Sequence, residues 1–96
     1  MKTMSETLPL IDRVRVVGPY RLRLWFSDGQ VGEWSFDRLA TDERPVALAF
    51  REPGFFEQVF LDFGALTWPN GYDLSPVALY DDMAAAGALK LESAAA

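Results

Sequence analysis

The sequence predicts an α+β fold: one small twisted antiparallel sheet of about four or five strands, with two short helices on one face. Three observations carry this. Apolar and polar residues alternate from Val14 to Phe26, as they do in half-buried strands. Gly18-Pro19 and Asp28-Gly29 punctuate that alternation with turn signals. Pro45 and Ser75-Pro76 stand where helices begin.

The first strand covers Leu10–Val17, with Val14 and Val16 on one face and Arg13 and Arg15 on the other. After Gly18-Pro19 the alternation resumes over Tyr20–Ser27. Tyr20, Leu22, Leu24 and Phe26 share one face, and Arg21, Arg23 and Trp25 share the other. Pairing Val16 with Tyr20 and Val14 with Leu22 gathers the apolar residues; it also sets Arg15 opposite Arg21 and Arg13 opposite Arg23. Asp28-Gly29 reads as a two-residue hairpin turn with both residues at positive φ. Gln30–Phe36 returns. A strictly continued register would point Glu33 inward, so we expect a bulge near Gly32 that turns Trp34 and Phe36 into the core and Glu33 toward the arginines.

Asp37–Glu43 is polar and loop-like. Pro45 opens a short helix over Val46–Arg51 with Val46, Ala49 and Phe50 inward, and Pro53-Gly54 ends it. A second helical turn follows within Phe55–Phe60, then a strand over Val59–Phe63 or Leu61–Phe63, and another over Ala65–Trp68. Trp68-Pro69-Asn70-Gly71 is a turn in which Asn or Gly takes the positive φ. Tyr72-Asp73-Leu74 is extended. Ser75 caps a helix from Pro76 to about Ala86, with Gly87 as its C-terminal cap. The expected core is Val14, Val16, Tyr20, Leu22, Leu24, Phe26, Val31, Phe50, Phe56, Val59, Leu66, Trp68, Leu79 and Met83. Residues 1–8 read as a flexible N-terminus, 9–86 as a single domain and 87–96 as an Ala-rich tail.

Composition excludes more than it selects. The chain has 96 residues, half of them apolar, which suffices for one modest core. With no Cys and no His it has no disulfide, no thiol nucleophile, and neither the commonest general base nor the commonest transition-metal ligand. Ser27, Ser35 and Ser75 therefore lack a His base. Asp73, Asp81 and Asp82 would have to supply any paired-carboxylate site, yet adjacent helical residues such as Asp81 and Asp82 do not face each other. No phosphate-binding Gly-rich loop occurs. No enzyme, cofactor or metal site is expected. No apolar run approaches the roughly 18 residues of a membrane span, and Met1–Leu10 has no apolar signal region. A soluble cytoplasmic protein without membrane contact is the expectation.

Net charge is −5, and it is uneven. Residues 1–51 hold eight basic and seven acidic side chains, whereas residues 52–96 hold one and seven. Within the first half Arg13, Arg15, Arg21 and Arg23 share a strand face with Trp25. Arginine beside tryptophan is favoured at interface hot spots. This candidate interaction face suits a second copy of the chain, the C-terminal helix or an acidic protein. It also suits nucleic acid, although the net charge opposes a stand-alone nucleic-acid binder. Trp68, Asn70, Tyr72 and Asp73 form a second candidate, a recognition corner with Tyr72 exposed by the turn. Its structural alternative is that Trp68 packs, Asn70-Gly71 turns and Asp73 bonds the turn backbone.

The run Trp68-Pro69-Asn70-Gly71-Tyr72-Asp73-Leu74-Ser75-Pro76, ending Leu79-Tyr80, resembles the signature of the small bacterial domain of unknown function 2442 family. Tyr20, Leu22, Leu24, Phe26 and Asp28-Gly29 resemble its strand–turn–strand core, and Val46, Pro53, Phe56 and Val59 its central helix and following turn. The resemblance covers about residues 9–80. Glu52-Pro53 stands where Asp-Pro is more usual, and Ser75 where Asp is. The resemblance implies an α+β fold and no established catalytic residues. Some members carry a following helix-turn-helix, for which residues 81–96 are too few and too Ala-rich. Others are encoded beside partners suggestive of toxin–antitoxin pairs. The expected function is therefore a non-enzymatic protein-interaction module, an antitoxin-like or regulatory partner of another bacterial protein. A nucleic-acid-binding regulator using the arginine face is the alternative, and a carboxylate-dependent enzyme a weak third.

Overall fold

A computed structural model describes residues 8–92. The chain is α+β, with seven short strands among the described residues. β1 (Ile11–Gly18), β2 (Arg21–Phe26), β3 (Gln30–Ser35) and β7 (Lys90–Leu91) form one antiparallel sheet in the order β1-β2-β3-β7. β4 (Phe60–Asp62), β5 (Ala65–Thr67) and β6 (Asp73–Leu74) form a second. The expected single sheet is thus two, joined where the Ile11 amide donates to the Gly64 carbonyl at 3.0 Å. Between β3 and β4 lie α1 (Arg38–Thr41) and two 3₁₀ segments, Pro45–Arg51 and Phe56–Gln58. α2 (Pro76–Ala85) precedes β7.

The β1–β2 alternation places faces as expected, but the register is displaced by two residues: Val16 pairs Leu22, Val14 pairs Leu24 and Arg15 pairs Arg23. A slip of two preserves every face, because side chains alternate with period two. The displacement comes from the turn. Pro19 and Tyr20 alone connect the Gly18–Arg21 pair, and Tyr20 takes φ +52°. That conformation costs an L-residue about 1–2 kcal/mol. The Tyr20 hydroxyl donates to the Phe50 carbonyl and its ring packs 5.2 Å from Phe56, which offsets the cost. A second irregularity at Asp12 turns Ile11 into the core, against its parity with Arg13.

In the next hairpin the extra residue sits in the turn rather than near Gly32. The Gly29 amide donates to the Phe26 carbonyl at 3.0 Å, Gly29 alone takes positive φ, and Asp28 does not. This is a tight turn followed by a left-handed glycine, the usual three-residue hairpin. It delivers the expected facing: Arg23 pairs Glu33 and Leu22 pairs Trp34. Gly32 has another reason to be glycine. A Cβ there would lie 2.2 Å from the Ala88 carbonyl oxygen and 3.1 Å from Met83 Cε.

The core joins Leu22, Leu24 and Phe26 of the first sheet to Leu66 and Trp68, and to Leu79 and Met83 of α2. Phe36 turns into it as expected, and Leu39, Ala47 and Tyr72 belong to it beyond the expected set. Val14, Val16, Tyr20 and Val59 are only partly buried against it. Val31 is buried but pairs with Trp25, outside the main cluster. In Pro45–Arg51 the buried residues are Ala47 and Phe50, while Val46 is exposed. Three residues per 3₁₀ turn select an i, i+3 pair where an α-helix would select a wider stripe. The expected loop after Phe36 contains the single turn α1, which buries Leu39.

α2 begins and ends as read from the sequence. The Ser75 hydroxyl accepts from the Ala78 amide at 3.2 Å, and Pro76 follows. At the other end Gly87 takes φ +72°, with Gly87 N bonding Ala84 O and Ala88 N bonding Met83 O. β7 then adds to β3, so the sheet extends into the segment expected as a tail from residue 87. The flexible stretch expected over residues 1–8 lies outside the described residues, except for Leu8.

Candidate functional site

The arginine face occupies the outer side of β1–β2, opposite the Leu22–Leu24 side against the core. Trp25 pairs Arg13 across the strands, and the guanidinium carbons of Arg13 and Arg23 lie over its ring at 4.5 and 5.4 Å from the centroid. Such cation–π contacts contribute about 0.5–1 kcal/mol at exposed sites. Trp25 Nε1 donates to Glu92 Oε2 at 3.1 Å. Glu33 bonds Arg23 at 3.0 Å and approaches Arg21 at 3.7 Å, relieving like-charge crowding that is otherwise unfavourable across a sheet. Arg15 stands opposite Arg23 and has no ion pair among the described residues. The helix α2 packs on the other face through Leu79 and Met83; among the described residues only Glu92, just past β7, hydrogen-bonds the Trp25 side chain.

The Trp68–Asp73 corner is a folded joint. Trp68 is 0% exposed and its indole N–H donates to the Phe56 carbonyl at 2.9 Å. Gly71 takes φ +91°, and its amide donates to the Trp68 carbonyl at 2.9 Å. Asn70, not Asp73, bonds the turn: its Oδ1 accepts from the Tyr72 amide at 3.1 Å, and its Nδ2 donates to Val46 O at 2.9 Å. Asp73 is exposed at the start of β6. Tyr72, expected to be exposed, is 9% accessible, because its ring packs against Phe50 and Trp68 at 5.2 and 5.9 Å. Its hydroxyl accepts from Arg44 Nη2 at 3.3 Å.

That hydroxyl leads to a feature invisible in the sequence. A cavity of about 420 Å³ opens between α1, the Arg44 region and α2. Its lining includes the buried Phe36, Leu39 and Leu79, and the charged Arg38, Arg44 and Asp82. Asp42 also lines it and clasps Arg44 through Nε at 3.0 Å and Nη2 at 2.6 Å. Those hydrogen bonds, with a further one from the Arg44 amide, pull the Asp42 carboxyl from its usual 3.8 down to about 2. Arg44 is held charged by the same pairing. Arg38 and Asp82 have no ion pair among the described residues. The volume lies in the range of small-ligand and side-chain pockets. No group of three or more His, Cys, Asp or Glu able to hold a metal occurs among the described residues. No helix there is long and apolar enough to cross a membrane.

The family model described as protein of unknown function (DUF2442) matches residues 11–84. The chain belongs to this family. Both the hairpin carrying the arginine face and the Trp68–Asp73 corner fall within the matched DUF2442 region; β7 and Glu92 lie beyond it. Comparison with curated proteins and with solved structures returned no match.

Proposed function

We propose that this DUF2442 protein is a non-enzymatic protein-interaction module, a regulatory or antitoxin-like partner that docks an acidic protein on the outer face of β1–β3. The supporting observation is that Arg13, Arg15, Arg21, Arg23 and Trp25 share a sheet face that α2 leaves open, with Arg13 and Arg23 lying over the Trp25 ring. Glu33 and Glu92 neutralise only part of this charge. A partially covered tryptophan within an arginine rim is the arrangement that anchors interfaces, and the surplus charge steers an acidic partner. The nucleic-acid reading has less support: two guanidinium groups already occupy the Trp25 ring on which a base would stack, and the net charge is −5.

The test is affinity capture from the native host with wild type and with the Arg15→Glu/Arg21→Glu double variant. An acidic protein retained by wild type, lost by the folded variant and weakened by salt is the expected result. Nuclease-sensitive nucleic acid on wild type, or equal capture by both proteins, overturns the reading.

A further inference from the structure

The β4–β5 hairpin carries a residue that its own fold does not explain. Asp62 pairs Ala65, so Phe63-Gly64 is the whole loop, and both residues take positive φ, at 51° and 81°. This is the geometry of a type I′ turn, whose first position favours Asn, Asp or Gly. Gly64 is doubly required, since a Cβ there would also lie 2.8 Å from Leu10 Cβ. Phe63 is not required. It adopts a strained conformation for a bulky residue and is 95% exposed, so the monomer gains no burial in return. Asp62, beside it, is exposed and has no ion pair among the described residues.

The cavity beside α2 could take such a residue. Phe36, Leu39 and Leu79 give it apolar lining; of the two charged residues that line it with no ion pair among the described residues, Arg38 and Asp82, Arg38 is the one that suits a carboxylate. At about 420 Å³ it has room for an aromatic side chain. We infer that this cavity is a receptor for an aromatic residue flanked by a carboxylate, and that its occupant is the Asp62-Phe63 turn of a second copy of the chain. The ring of Phe63 buries on the apolar floor and Asp62 meets Arg38. Knob and hole lie on different parts of the surface; two chains related by a two-fold axis exchange them reciprocally, so the contact is made twice and the dimer is isologous. It uses none of the arginines of the β1–β2 face and is independent of that reading.

Two variants and their mixture test this, using the full chain. Phe63→Asn removes the knob and installs a residue suited to the turn. Ala78→Trp fills the hole from an exposed position of α2 that lines it. In sedimentation, wild type is expected to self-associate, and each variant alone to do so at least about tenfold more weakly, from the lost aromatic burial. Mixing the two variants is expected to restore association in part, because the knob of one fits the hole of the other and remakes one of the two contacts. Phe63→Asn is further expected to raise Tm by a few degrees as turn strain is relieved, which separates loss of the knob from loss of the fold. A monomeric wild type, undiminished association of Phe63→Asn, or no recovery on mixing overturns the inference.

Discussion

Gly32→Ala is the most informative single substitution in the sheet. By strand propensity alone the change is favourable, since glycine in a strand interior costs roughly 0.5–1 kcal/mol relative to alanine. The tertiary structure reverses that sign. The new Cβ would lie 2.2 Å from the Ala88 carbonyl oxygen and 3.1 Å from the Ala88 carbonyl carbon, both backbone atoms. No rotamer change relieves a backbone clash, so the chain after α2 has to retreat by about an ångström. That retreat strains the Ala88 N to Met83 O bond of the helix cap and the pairing of β7 with Gln30 and Val31. Overpacking of this kind costs about 1–3 kcal/mol, and each strained backbone bond adds about 0.5–1.5 kcal/mol. After the propensity gain, the net loss is about 1–5 kcal/mol, and Tm falls by at least about 5 °C. Gly18→Ala is the control: its Cβ meets only Arg21 Cβ, at an ordinary 3.8 Å. Urea unfolding of both variants decides the matter. Gly18→Ala is expected within about 1 kcal/mol of wild type. Equal midpoints for the two variants would refute the argument that close approach, not local conformation, selects glycine at position 32.

Two further outcomes are expected. Trp68→Ala removes a fully buried ring and its bond to the Phe56 carbonyl, and should cost about 3–5 kcal/mol in chemical unfolding, a large share of a small domain's stability. Stability should also bend at both ends of the pH range. The folded-state pKa of Asp42 lies below its usual value, so its contribution is full above about pH 4 and fades as pH falls toward about 2; Asp42→Asn should flatten that acid limb. The Tyr80 hydroxyl is raised above 10, chiefly by its hydrogen bond to the Asp28 carboxylate; its contribution is present below that pH and lost above it, so Tyr80→Phe should flatten the alkaline limb.

Much of the candidate interaction face was legible beforehand. Arg13, Arg15, Arg21, Arg23 and Trp25 share a side because strand parity is a local property, and a register displaced by two residues does not disturb it. The cavity was not legible. Arg38, Tyr72 and Asp82 come from separate segments, and no spacing among them carries a period that a reader can follow. Tyr72 misled for the same reason: the turn suggests exposure, but Phe50, some twenty residues earlier, provides the ring that buries it.

Features that depend on a few neighbouring residues could be read from the order of the amino acids. These are the alternating faces of β1 and β2, the Ser75 cap and the Gly87 terminus of α2, the turn at Gly71, and the place, though not the length, of the turn at Gly29. The Tyr20 turn and its register, the irregularity that turns Ile11 inward, the division into two sheets and the close approach at Gly32 arise from packing between distant segments. Local geometry is set by dihedral preference and by hydrogen bonds within a turn of chain. Register, bulges and clefts are set by contacts between distant residues, such as Tyr20 with Phe50 and Gly32 with Ala88, whose free energies exceed the local preferences they override.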